Sequence, residues 1–169
     1  MSGLEPLTEL DTRYSHESAT ARPWPAAQEL LADAQTYWLS TVRPDGRPHV
    51  TPLIGVWSRG ALYFSTGASE RKGRNLAANP EVVLTTGRNT LSEGFDVVVE
   101  GRAERVTDED LLNRLAAAWE SKYGPRWHFD VQDGTFRHAG HVALVFEVAP
   151  RTVFGFGKHP FSQTRWRFG

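Results

Sequence analysis

The clearest pattern along the chain is a period of two that begins at Tyr37. Tyr37, Leu39 and Thr41 alternate with Trp38, Ser40 and Val42, as the two faces of a strand require. Pro44-Asp45-Gly46 follows and marks a tight turn, because glycine accepts positive φ. Residues 47–57 resume extended character with Pro48 and Pro52 inside the run. Proline cannot donate to a ladder, so this strand is expected at an edge or at a bulge. Ser58-Arg59-Gly60 turns the chain again into 61–66, and strands are predicted over 81–86, 95–106, 141–148, 152–156 and 162–168. Three stretches have helical character instead. Residues 26–34 carry Leu30 and Leu31 behind Pro25, which suits a first helical turn. Residues 70–78 follow Ser69, a candidate N-cap. The third opens at Thr107 with Asp108-Glu109-Asp110, presents Leu111, Leu112, Leu115 and Trp119 as an apolar stripe, and ends at Gly124-Pro125. Residues 126–140 read as loop. Many short strands around a few helices, without βαβ units, predict a mainly β, antiparallel barrel flanked by helices.

Composition narrows the chemistry. The 169 residues contain no cysteine, which removes disulfides, thiolate metal sites and cysteine nucleophiles together. Nineteen Lys+Arg against twenty Asp+Glu leave a formal charge of -1, so nothing in bulk draws the chain to nucleic acid or to an anionic membrane. No apolar run approaches the ~20 residues of a membrane-spanning helix, and residues 1–22 lack the apolar centre of a secretory signal. The expectation is a cytoplasmic protein with a flexible N-terminal segment over 1–24 and one folded domain over 25–169. His138 and His141 lack an evident carboxylate partner, and no metal site is expected.

One segment runs against the physics of its own secondary structure. The helix predicted after Ser69 opens with Arg71, Lys72 and Arg74, although a helix N-terminus already carries about half a positive elementary charge and each added cation there costs up to about 1 kcal/mol. Gly73 weakens the helix by about 1 kcal/mol more relative to alanine. An anion at the helix start, held by free backbone N–H groups, the hydroxyls of Ser65, Thr66 and Ser69 and these cations, accounts for the arrangement. A solvated basic face with an ordinary serine cap is the competing reading.

The stretch Trp38-Leu39-Ser40-Thr41-Val42, Pro44-Asp45-Gly46-Arg47-Pro48, His49-Val50-Thr51-Pro52-Leu53 and Leu62-Tyr63-Phe64-Ser65-Thr66, continuing through Arg71-Lys72 and Asn75-Leu76 to Asn79-Pro80, resembles the pyridoxamine 5'-phosphate oxidase-like superfamily. The resemblance implies a six-stranded split β-barrel, usually homodimeric, that binds a flavin. It implies that Arg71 and Lys72 hold a cofactor phosphate with Ser65 and Thr66 beside it, that His49, Val50, Thr51 and Pro52 lie along the ring system, and that Asn75 joins this set. Trp166, in the tail Gln163-Thr164-Arg165-Trp166-Arg167-Phe168, is expected to reach the partner subunit's cofactor. The true oxidases carry an Arg-Leu-His-Asp-Arg stretch that grips their substrate; here Thr164-Arg165-Trp166-Arg167 stands in that region, which argues against vitamin B6 oxidation. The superfamily includes FMN, coenzyme F420 and haem branches. The resemblance therefore implies an oxidoreductase using F420 or FMN to move a hydride to or from a small organic substrate, or alternatively a non-catalytic flavin- or haem-binding carrier or sensor. No catalytic side chain is expected, because the ring itself carries the hydride. Trp57, Trp127, Phe154, Phe156 and Trp166 are candidates to wall an acceptor pocket, with core or dimer packing as the alternative for each.

Overall fold

The alternation at residues 37–42 is a strand whose Tyr37, Leu39 and Thr41 are buried while Trp38 faces out. In the computed structural model, which describes residues 5–169, the elements follow as β1 (Leu7–Leu10), α1 (Trp24–Asp33), β2 (Tyr37–Val42), β3 (Pro48–Leu53), β4 (Val56–Ser58), β5 (Ala61–Thr66), α2 (Arg71–Ala78), β6 (Glu81–Thr86), β7 (Phe95–Val106), α3 (Glu109–Tyr123), β8 (Asp130–Gln132), β9 (Thr135–His138), β10 (His141–Lys158) and β11 (Phe161–Arg167). Every ladder is antiparallel. Six strands form the barrel path β3-β2-β6-β7-β10-β5, with β4 on the far edge of β5. β3 and β4 are consecutive in the chain, yet among the described residues no ladder joins β3 to β4 or β5. That gap is the split in the barrel.

β10 is the spine. The two strands expected at 141–148 and 152–156 are one, carried through a register shift between Pro150 and Thr152. A bulge is where a strand tolerates a residue without an N–H donor. β10 pairs with β9 over His141–Ala143; beyond that one side pairs with β7 from Val145 to Gly157, while the other pairs with β5 and then with β11. β5 is buried on both faces. Leu62 and Phe64 point into a core with Trp24, Leu31, Leu39, Leu84, Val97, Val99 and Trp166, and Ala61 and Tyr63 point into a second core under α3 with Leu112, Leu115, Trp119, Phe136 and Val145. Asp108 rather than Thr107 caps α3, its carboxylate accepting the Leu111 N–H at 2.7 Å. Lys122 at the other end of α3 donates to Tyr37 Oη and to the Gly55 carbonyl, both at 3.0 Å. Burial pushes the Lys122 pKa down to about 8.

Two expectations require correction. The segment expected to be flexible, residues 1–24, is held in place over its described part. β1 pairs with β11, with Leu7 opposite Arg167, and the Asp11 and His16 N–H groups donate to the Gln163 and Phe161 carbonyls. An exposed edge strand needs no apolar period, so its sequence carried little signal; Met1–Leu4 lie outside the described residues. The expected loop 126–140 holds the hairpin β8-β9, whose Phe136 is fully buried against Trp119.

Trp166 is also not where a reach into a partner subunit requires it. The ring is fully buried within its own chain, 5.5 Å from the Trp24 ring and edge-on to Phe95. Its role here is packing, and Trp166→Ala is expected to lower the unfolding free energy by about 3–5 kcal/mol, read from urea melts.

Candidate functional site

The gap between β3 and β5 is where the structure gathers most of the predicted residues. α2 begins just after β5, and its start sits tightly on the preceding turn: a Cβ added at Gly73 would lie 2.4 Å from the Gly67 carbonyl oxygen. Glycine at this position is therefore a packing requirement, which offsets its cost in helix propensity. One turn on, Asn75 is fully buried and donates from Nδ2 to Thr41 Oγ1 at 3.0 Å, tying α2 to the inner face of β2. Thr41 lies directly opposite His49, and Leu39 opposite Thr51. His49 and Thr51 thus share the α2 side of β3.

Four polar atoms here are buried without a hydrogen-bond partner: Arg43 Nε, His49 Nδ1, Thr51 Oγ1 and Asn75 Oδ1. Buried polar groups are normally paired, each unpaired one costing about 1–3 kcal/mol, so four in one neighbourhood point to a missing partner. Burial lowers the His49 pKa, and the charges of Arg43, Arg71 and Lys72 lower it further. Arg43, at the end of β2, was absent from the sequence-derived set. Its signal was only positional, since the turn 44–46 folds the end of β2 back against the start of β3.

The start of α2 differs from expectation in detail. Glu70, not Ser69, is the N-cap residue, and its side chain does not cap the helix. Its carboxylate instead accepts the Gly67 N–H at 3.3 Å and pairs with Lys72. Burial alone would raise the Glu70 pKa, but the hydrogen bond and charge of Lys72 and the Gly67 N–H bring it below the ordinary carboxylate value. Glu70 therefore occupies the cationic turn as an internal anion. Arg71 is exposed and, like Arg74, has no acidic partner within 4.0 Å among the described residues. The Thr66 hydroxyl is buried and donates to the Gly67 carbonyl at 3.1 Å, while Ser65 lies on the opposite face of β5. Val50 and Pro52 likewise point away from α2, on the outer face of β3. The predicted set is therefore brought together at His49, Thr51, Thr66, Arg71, Lys72 and Asn75. Val50, Pro52 and Ser65 flank it, and Trp166 is remote in the core.

The family profile described as pyridoxamine 5'-phosphate oxidase matches residues 23–155. The chain belongs to this family. A pyridoxine/pyridoxamine 5'-phosphate oxidase of Burkholderia thailandensis is 34% identical over 139 residues, covering 69% of this chain and 64% of that protein. Across the first such relatives the chain spans 37% to 64% of their lengths. Among solved structures, a conserved hypothetical protein from Mycobacterium tuberculosis has the same fold with a TM-score of 0.68 at 20% identity, over 86% of this chain and 91% of that one. An F420 reductase superposes with a TM-score of 0.55 at 24% identity, over 75% and 94%. Among the described residues no helix is long and apolar enough to cross a membrane.

Two measurements test this site. The His49 imidazole, followed by NMR, should titrate below its ordinary value near 6.5 in the free protein and move upward when sulfate is added, because a nearby anion stabilises the imidazolium. Glu70→Gln should tighten sulfate binding several-fold in a calorimetric titration, since it removes the competing internal carboxylate and frees Lys72.

Proposed function

We propose that this chain is a homodimeric oxidoreductase that binds FMN or coenzyme F420 at the split of its barrel and exchanges hydride with a small organic substrate. The observation that carries the reading is the convergence of four unpartnered buried polar atoms with an unpaired arginine at the start of α2. A phosphate ester suits that place: Arg71 and Arg43 bring charge, the first turn of α2 brings N–H groups, and Lys72 becomes available once it leaves Glu70. The residues present therefore fit the phosphate-bearing part of either cofactor. His49, whose pKa is lowered by burial and by its cationic neighbours, brings an unpartnered ring nitrogen to the same place. Thr51 and Asn75 offer a hydroxyl and an amide oxygen on the same face. The ladder-free outer edge of β3 leaves the backbone of residues 49–52 available along the ring. When bound, the flavin or deazaflavin ring supplies the hydride chemistry; the chain anchors it and shapes the space for a substrate.

A second copy belongs on the outer face of the sheet. Pro52, Trp38, Thr85, Val98 and Phe154 form one row across five strands. Trp38 and neighbouring Val50 are 53% and 52% exposed, an apolar surface of the kind that subunits cover. Vitamin B6 oxidation is not part of the proposal. Where the true oxidases hold their substrate, Arg165 and Arg167 are both clamped on Glu9, at 2.7 and 3.1 Å, and Trp166 is in the core.

Titration of the purified protein with FMN and with F420, side by side, tests the reading. One of the two should bind, and saturation at about 100-fold over Kd should raise stability by about 2.7 kcal/mol, visible in a thermal melt. Arg71→Ala combined with Lys72→Ala should weaken binding by about 100-fold or more while the protein stays folded. A double variant that is markedly less stable yet binds with unchanged affinity while folded would assign the pair to structure alone. A bound cofactor that no acceptor reoxidises would make the protein a carrier.

A further inference from the structure

A second feature lies at the opposite end of β2 from α2. The end of β6 is fastened to the start of β2 by the Thr86 hydroxyl, which donates to the Thr36 carbonyl at 3.0 Å. Beyond it, α1, the connection over residues 87–94 and the turn between β10 and β11 enclose an open cleft of about 720 Å³, within the size range of sites for small organic ligands. Leu30 and Phe95 are its apolar walls, and Arg22, Arg88 and His159 are among its polar ones.

The charges around this cleft do not balance. Arg88 pairs with Glu93 at 3.5 Å, and the adjacent Lys158 pairs with Asp96 at 3.0 Å. Arg22 has no acidic partner within 4.0 Å among the described residues. It is nevertheless held in place. Its backbone N–H donates to the buried Thr164 hydroxyl at 2.9 Å, and its guanidinium lies over the Phe95 ring, 5.1 Å from the centroid. Gly157 leaves room for it: a Cβ there would lie 3.2 Å from Arg22 Nη2 and 2.4 Å from Ser162 Oγ. A guanidinium fixed on an aromatic face at the rim of a cleft has little entropy left to lose when an anion docks on its planar fork.

We propose that this cleft binds a small organic monoanion: a carboxylate recognised by Arg22, attached to a flat apolar body received between Leu30 and Phe95. One uncompensated cation matches one carboxylate. A phosphate dianion would call for additional free cations, as at the start of α2, whereas here Arg88 and Lys158 already have acidic partners. The proposal is independent of the cofactor reading, because the two places use different residues at opposite ends of β2.

Benzoate is the probe, added to uniformly 15N-labelled full-length protein with and without FMN. Saturable shifts centred on the amides of Gly87, Arg88, Gly94 and Phe95 are expected, in both cases alike. Arg22→Gln should weaken benzoate binding by about tenfold or more, Arg22→Lys by less, and benzamide, of the same shape without charge, should bind more weakly than benzoate. The proposal is overturned by benzoate shifts centred on Arg71 and Lys72, by loss of benzoate binding when FMN is added, by inorganic phosphate shifting the amides of Gly87, Arg88, Gly94 and Phe95 as strongly as benzoate does, by equal affinity in Arg22→Gln, or by the absence of shifts at millimolar benzoate. If Arg22→Gln does not fold, the map on the wild-type protein decides the matter by itself.

Discussion

The interaction on which the candidate site depends is the seating of α2 against the turn before it and against β2. Gly73 lets the helix backbone approach the Gly67 carbonyl more closely than a side chain allows, and the amide of Asn75 fixes the approach on Thr41. With the helix held there, Arg71 and Lys72 must emerge beside the His49 face of β3 and the end of β2 that carries Arg43. The electrostatic cost at the helix start then follows from position. The same geometry that leaves the barrel open between β3 and β5 brings the cations to that opening. A helix seated one turn further away would relieve the repulsion but would also separate the cations from the unpartnered atoms on β2 and β3.

Much of this was legible in the residues. The period of two and the Asp-Gly turn located β2 and β3, Pro48 and Pro52 announced an edge, and the edge proved to be the free margin of the split. The cationic helix start was visible as a violation of local preference. Other features were hidden because they depend on tertiary pairing. The hairpin β8-β9 earns its order from Phe136 packing on Trp119, two residues far apart in the chain. The continuity of β10 through Pro150 was hidden because a proline reads locally as an interruption, whereas a bulge accepts it.

The site was readable in its charged members and less so in its polar ones. Arg71, Lys72 and His49 are distinctive residues in distinctive places. Arg43 drew no attention beside the turn 44–46, and Glu70 read as the first residue of the helix rather than as its N-cap. Only in three dimensions does Glu70 become the group that satisfies the Gly67 N–H and Lys72. Trp166 shows the opposite error. An aromatic residue between two arginines suggested a reach outward, but on β11 successive side chains face opposite ways. The arginines point to solvent and to Glu9, and the indole points inward. Alternation, the rule that identified the strands, also decides which of three neighbouring residues is available for recognition.

β10 contributes side chains to both apolar cores, Val145 to the one beneath α3 and Val148 and Val153 to the one beneath α1. The two halves of the molecule therefore share a beam. Neither layer can dissolve without exposing a strand that the other needs, because the same β10 that seals the core beneath α3 carries the ladder to β11.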